Sequence, residues 1–272
     1  MAVGTSVVQD DFWLFCFAPL IVYMIFYWTT AAVCFLLDLW LFQRDHADEW
    51  KIQTGQTLDL HKYLQTSVTV LCQQLLINAP VGIMLYPLWR WRGVCYSCPL
   101  PSYLECVLHL AVAVLCVVPF HDFHLVDSRC FDLFFFHVHR WLHSWRYATV
   151  HKRHHEWVAP VGVAAHYAHP LEHLIANTLP MGVGPLLTGM HFKLFLFLVA
   201  VASVNVVKSH AGFDWFFGSP GHDAHHELFT VNYGVTPIFD TFYGSYCKSA
   251  RNASVKKDQP DSKRAFSKVT SK

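Results

Sequence analysis

The chain is short of charge. Asp, Glu, Lys and Arg make up 14% of its 272 residues, against about 25% in an ordinary soluble domain. Such a deficit points to surface that faces lipid. The charges nearly cancel, to a formal net of +1, and there is no basic stripe of the kind nucleic-acid binding needs. Nucleic acid is therefore excluded as a partner. No internal repeat is present. Nor is a disulfide framework expected: the nine cysteines are an odd count and stand mostly alone in apolar runs, as small packing residues. Cys95-x-x-Cys98 has no second pair and no histidine close in sequence, so the spacing reads as chance rather than as a redox or metal pair. A basic leader is missing too. Asp10 and Asp11 precede the first apolar run and no Lys or Arg does, so that run reads as a retained anchor, not a signal peptide.

In place of charge there are long apolar runs and many histidines. Hydrophobic residues reach 54% and aromatic residues 16%. Leu14 to Leu37 is uncharged over 24 positions, enough for a bilayer core that about 20 helical residues cross. Spans are expected at 13–42, at about 63–89 (interrupted by Asn78-Ala79-Pro80) and at about 103–120. The stretch 174–207 holds Pro180, Gly182, Gly184, Pro185 and Gly189 near its middle, and Pro and Gly punctuate helices. It reads as a membrane hairpin of two short segments. The residues divide into an N-terminal membrane region (1–131), a histidine-bearing region (132–246) and a polar, basic tail (247–272) expected to be disordered.

The tail from Lys248 to Lys272 carries eight basic residues against Asp258 and Asp261. The positive-inside rule places it in the cytosol. Counting spans backwards puts the histidine clusters on the same side, the N-terminus on the far side, and Arg90 and Arg92 in the lumen. The alternative is that 63–89 re-enters without crossing. Asn252-Ala253-Ser254 offers a glycosylation test of the choice.

The chain's 19 histidines equal its acidic residues in number. Eight fall in three clusters: His139 and His143 (HRWLH), His151, His154 and His155 (HKRHH), and His222, His225 and His226 (HDAHH). On a helix, residues three and four apart share a face, so each cluster presents imidazoles together. Neutral imidazole binds iron, zinc, copper and nickel. Two such faces hold one ion and three hold two. A structural zinc site would use four ligands, usually with cysteine, and no cysteine accompanies these eight. Each cluster alone also fits a surface or core contact; their recurrence in a membrane-type chain favours metal. His169 and His210 are expected as further ligands, and His173 less so. His166 and His137 fit a supporting or plain structural role equally well. His46, His61, His109, His121, His124 and His191 have no cluster context. The outer ring nitrogens need acceptors, for which Asp132, Glu156, Asp223 and Glu227 stand nearby. Phe134, Phe135, Phe136, Trp215, Phe216 and Phe217 are candidates to line a lipid channel, against a plainer reading as packing or interfacial anchors.

Residues 132–246 resemble the membrane-bound fatty acid hydroxylase and sterol desaturase superfamily. The likeness rests on the three histidine boxes, on HKRHHEWVAPVGVAAHYAHPLEHLIANTLPMGVGPLLTGMH (151–191), and on HAGFDW, HDAHH, NYG and FDTFYGS within 210–245. It points to the branch of the fatty acid hydroxylase domain-containing proteins and C-4 methylsterol oxidases. Trp50-Lys51-Ile52-Gln53 and Ala79 to Trp89 are similar as well. Departures are an apparent insertion at 119–130, Asp132 where relatives often have Glu, and Asp223-Ala224 where many have Asp-Tyr.

The resemblance implies an all-α integral membrane bundle of the endoplasmic reticulum, whose cytosolic helical cap holds a histidine-rich dimetal site. Its ligands would be His139, His143, His151, His154, His155, His222, His225 and His226, with His169 and His210 matching further histidine positions of the branch. The implied cofactors are two Fe ions (zinc in a purified sample), O2, and electrons from NAD(P)H through cytochrome b5 or its reductase. The implied substrate is a lipid: a 4-methylsterol first, a fatty acyl chain or sphingolipid second, with hydroxylation and desaturation both open. A non-catalytic metal-binding membrane regulator is the rival. A transporter is disfavoured because the histidines lie between the apolar runs.

Overall fold

A computed structural model describes residues 7–109, 129–214 and 219–248. The expected third span beyond residue 109, the apparent insertion at 119–130 apart from its last two residues, the tail beyond 248 with its sequon, and Trp215, Phe216 and Phe217 lie outside the described residues, as do the side chains of Asp132 and Phe134. Among the described residues the regular elements are helical and joined by turns and loops, with one isolated bridge, between Lys51 and Phe213.

Helix α1 (Val7–Gln43) carries the first uncharged run. After a short α2 (Ala47–Trp50), α3 (Leu60–Gln73), a π turn (Gln74–Asn78) and α4 (Ala79–Trp91) run on without a break. Asp11–Gln43, Leu60–Trp91 and Phe192–Ser209 are each long and apolar enough to cross a membrane. Residues 60–91 form one helical rod of membrane length.

The π turn has a local cause. Pro80 has no N–H to give the carbonyl one turn back, and a widened turn is one way to absorb the lost bond. The same device recurs before Pro180, where a π turn (His173–Thr178) links α6 (Pro170–Glu172) to α7 (Leu179–Thr188). Gly189 closes α7 in the left-handed conformation, at φ +65, which glycine adopts without a Cβ clash. The chain then turns back into α8 (Phe192–Ser209). A helical hairpin thus lies in this stretch, with its turn at residues 189–191 and Phe192–Ser209 as its arm of membrane length.

One end of the bundle gathers the loop after α4 and the turn before α8. Phe192 N–H donates to Cys95 O at 3.4 Å, and Arg92 donates to Leu186 O and Leu187 O. Cys95 and Cys98 form a disulfide with a Cα–Cα distance of 5.7 Å. This corrects the reading of their spacing as chance: the tight loop after Gly93 folds the two thiols together.

The opposite end carries the histidines. Asp38, near the end of α1, pairs with Lys51 at 2.5 Å, both buried. The same ammonium donates to Ala211 O at 2.6 Å and sits 3.9 Å over the Phe213 ring. Ile52 N–H donates to Gly212 O. The segment just after α8 is thereby fixed to the segment just after α1.

Candidate metal centre

Two helices, two tighter turns and the end of α8 supply the imidazoles. Helix α5 (Arg129–Trp145) carries His139 and His143 one turn apart, with ring centroids 5.1 Å apart. A π turn (Tyr147–His151) and a 3-10 turn (His154–Glu156) carry the second cluster. The expectation of a plain helical face fails there, because the backbone winds through two different turns. Helix α9 (Pro220–Leu228) carries the third, and His210 follows the last residue of α8.

Nine imidazoles form two groups. His139, His143, His151, His155 and His225 make one; His154, His210, His222 and His226 make the other. Within each group one nitrogen per ring lies within 4.8 Å of all the others. Each H-x-x-H-H box is split between them. His151 and His155 turn to the first group and His154 to the second; His222 and His226 turn to the second and His225 to the first. In α9 the split follows helical geometry, because His225 and His226 are neighbours about 100° apart around the helix while His222 and His226 are one turn apart. In the second cluster the π and 3-10 turns set it.

The outer nitrogens decide what the inner ones offer. His139 Nδ1 faces Tyr233 O at 2.7 Å, His225 Nδ1 faces Val231 O at 2.6 Å, His226 Nδ1 faces Trp157 O at 3.0 Å, His210 Nδ1 faces Val206 O at 2.9 Å and His154 Nδ1 faces Tyr167 O at 3.4 Å. A carbonyl only accepts, so each of these Nδ1 atoms carries the ring proton and each Nε2 is left as a lone pair. His154 Nε2 and His210 Nε2 face each other at 3.4 Å, two lone pairs with no proton between them. Such a pair is repulsive unless a cation lies against both. The donor set therefore fits metal, and its nitrogens suit iron, zinc or copper alike.

Electrostatics agree. Burial holds His154 down to about 4, and burial with a neighbouring imidazole holds His143 down to about 4 and His210 down to about 3. His139, His151, His155, His222, His225 and His226 are depressed for the same reasons, burial first. Near neutral pH the rings are the uncharged ligand form.

His169 stands outside both groups. The short helix of HPLEH begins at Pro170, so His169 precedes it instead of sharing a face with His173. Its Nδ1 accepts from Leu171 N–H at 3.2 Å as an N-cap. The expected carboxylate acceptors are also replaced. Asp223 accepts from Gln53, Glu156 accepts from the Tyr167 hydroxyl, and Glu227 is exposed. Sequence reasoning missed Glu172, whose Oε1 lies 2.7 Å from His151 Nδ1. Its place beside His173 in HPLEH was the available signal.

A cavity of about 510 Å³ opens onto the centre. His139, His151, His154, His210 and His222 line one end, while Phe15, Leu20, Leu85, Met181, Phe195 and Val199 line its apolar length. Phe135 lines it too, whereas Phe136 is buried against Tyr243. All three π turns among the described residues border it, through Asn78, through His151, and through His173 and Thr178.

The fatty acid hydroxylase family model matches residues 124–245. The chain is 34% identical over 227 residues to fatty acid hydroxylase domain-containing protein 2 of Homo sapiens, covering 81% of this chain and 63% of that protein. It is 31% identical over 201 residues to methylsterol monooxygenase 2-2 of Arabidopsis thaliana, covering 69% and 70%. It is 35% identical over 192 residues to a very-long-chain aldehyde decarbonylase of Oryza sativa, covering 65% and 66%. The chain thus spans a little under two thirds of the human relative's length. No solved structure matches it.

Proposed function

The chain belongs to the fatty acid hydroxylase family, and from that premise we propose that it is a membrane-bound di-iron oxygenase acting on C–H bonds of a lipid, a 4-methylsterol first. The observation that carries the proposal is the meeting of nine mostly buried imidazoles at the end of an apolar cavity between membrane-length helices.

His139, His143, His151, His155 and His225 would hold one iron and His154, His210, His222 and His226 the other. When bound, the pair would supply oxygen activation strong enough to break an unactivated C–H bond, which side chains alone do not reach. The chain's own contribution is position. Backbone carbonyls fix the tautomer of five rings, so their lone pairs are aimed before any ion arrives. Glu172 does the same for His151 if it holds the carboxylate form. The apolar wall between α1, α4, α7 and α8 takes the lipid body from the bilayer and excludes water from the reacting carbon.

Relatives named as methylsterol monooxygenases support a sterol. A fatty acyl or sphingolipid substrate is the second reading, favoured by a relative named as a fatty acid hydroxylase. Electrons would come from NAD(P)H through cytochrome b5 or its reductase. The proposed setting is the endoplasmic reticulum membrane with the histidine end in the cytosol. The Cys95–Cys98 disulfide supports that orientation, because it lies at the opposite end and disulfides persist in oxidising compartments.

The test is expression in cells lacking sterol C-4 oxidase, comparing sterol and fatty acyl profiles with a His154→Ala/His155→Ala variant. Loss of accumulated 4-methylsterols with wild type alone is expected. A sterol profile that wild type leaves unchanged overturns the sterol reading, and a change confined to acyl chains selects the second.

A further inference from the structure

The cavity has a second polar patch that ligation leaves unused. Trp28 Nε1 donates to Gln74 Oε1 at 2.7 Å, Gln74 Nε2 donates to the Tyr23 hydroxyl at 2.9 Å, and that hydroxyl meets His166 Nδ1. An indole N–H only donates, so it sets the direction of the whole relay. The Tyr23 O–H must then donate to His166, which leaves the His166 proton on Nε2. His173 is oriented from the other side. Its Nε2 faces Asn78 Oδ1 at 3.0 Å, and an amide oxygen accepts, so Nε2 carries the proton and Nδ1 is a lone pair. That Nδ1 is buried without a hydrogen-bond partner.

The two rings are neighbours, with centroids 5.2 Å apart and planes at 70°. Their exposures are 7% and 1%, and both line the cavity that reaches His151 and His154. The stack of His166 on Tyr27 accounts for the ring's packing, but packing does not account for the unpaired nitrogen of His173. Native interiors seldom keep such an atom without a use.

We infer that His166 and His173 form a hydroxyl-binding subsite for a lipid alcohol, with His166 Nε2–H donating to the hydroxyl oxygen and His173 Nδ1 accepting its proton. Glu172, next to His173 in the chain, reaches His151, so the subsite lies beside the histidine centre. The lipid's apolar body then fills the apolar length of the cavity away from it, and the carbons next to the hydroxyl lie nearest the centre. A hydroxyl both accepts and donates. An ether, a ketone or a carboxylate satisfies His166 but leaves His173 unpaired, so the pair selects alcohols against each of these. The inference deepens the oxygenase reading and rests on it for the cavity's role as substrate site. Sterols and ceramides both carry the required group.

Equilibrium binding tests it without turnover. The full chain in phosphatidylcholine nanodiscs is titrated with cholesterol and its 3-O-methyl ether, and separately with a ceramide and its primary methyl ether. Wild type is expected to prefer at least one alcohol to its own ether by about tenfold, the scale of one hydrogen bond. The arm that shows the preference names the source. His173→Phe and Tyr23→Phe are each expected to bring the ratio near one, the first by removing the acceptor and the second by freeing the His166 tautomer. Equal binding of alcohol and ether by wild type overturns the subsite and leaves the oxygenase reading standing. A preference that survives both substitutions also overturns it. Failure to bind any of the four lipids overturns the cavity's role and the subsite together.

Discussion

Oε1 of Glu172 lies 2.7 Å from Nδ1 of His151, both groups buried. His139, His225 and His226 rest instead on backbone carbonyls, which no substitution removes. Glu172 is thus the outer support most open to mutation. Supports of this kind are worth about 10–100-fold in metal affinity or activity. Glu172→Ala is expected to weaken metal retention by that factor, read as metal per chain against a graded chelator. Combined with His151→Ala it should add little, because the support acts only through that ring.

The two groups predict two separable losses. His210→Ala takes one of four nitrogens from the smaller group and leaves the five of the larger intact. Elemental analysis after reducing, anaerobic purification is expected to give about two ions per chain for wild type, set by two groups of converging imidazoles, and about one for His210→Ala. His169→Ala is expected to match wild type, since its ring caps a helix start. Equal loss from both variants would count against the grouping.

The pairing of Lys51 with Asp38 predicts a stability effect away from the centre. Lys51→Met leaves the Asp38 carboxylate buried without its cation, a change that costs about 3–5 kcal/mol. Thermal unfolding in detergent should fall sharply for Lys51→Met. It should largely recover in Lys51→Met/Asp38→Leu, where no charge is left stranded.

Where a chemical period was unbroken, the sequence was readable. The uncharged run beneath α1 announced a helix of membrane length, because apolar length acts locally. Gly189 marks the turn of the helical hairpin, whereas Pro180, Gly182, Gly184 and Pro185 lie inside α7 instead of breaking it. Eight of the nine converging imidazoles were legible as boxes, and His210 as a further histidine twelve residues before the third box. The assumption that boxes sit on plain helices broke at 147–156, where tertiary packing winds π and 3-10 turns. His169 was overread for a similar reason: four-residue spacing has directional meaning only inside a helix, and the helix begins one residue later. The ring acceptors were out of reach, since every residue has a carbonyl and only the fold selects which one faces a ring. Cys95 and Cys98 were dismissed on context, although a loop of that length brings two thiols together.

Gly82 gives the last prediction, because it faces backbone. A Cβ built there would lie 2.4 Å from Cys16 O, so α1 and α4 approach at a point where only glycine fits. A carbonyl within a helix cannot rotate aside as a side chain can, and the helices would have to part. Gly182 makes the comparison: its added Cβ would meet only the end of the Leu85 side chain, at 3.2 Å, which can shift by a few tenths of an ångström. Gly82→Ala is therefore expected to destabilise the protein by about 1–3 kcal/mol, the usual cost of overpacking, and Gly182→Ala by clearly less, both read from thermal unfolding in detergent. Cys16 and Gly82 also line the cavity, so parting α1 from α4 should loosen lipid binding. The histidine centre sits at the opposite end of the bundle, and its metal content should hold. If both alanine variants unfold at one temperature, the close approach of α1 and α4 is not as described.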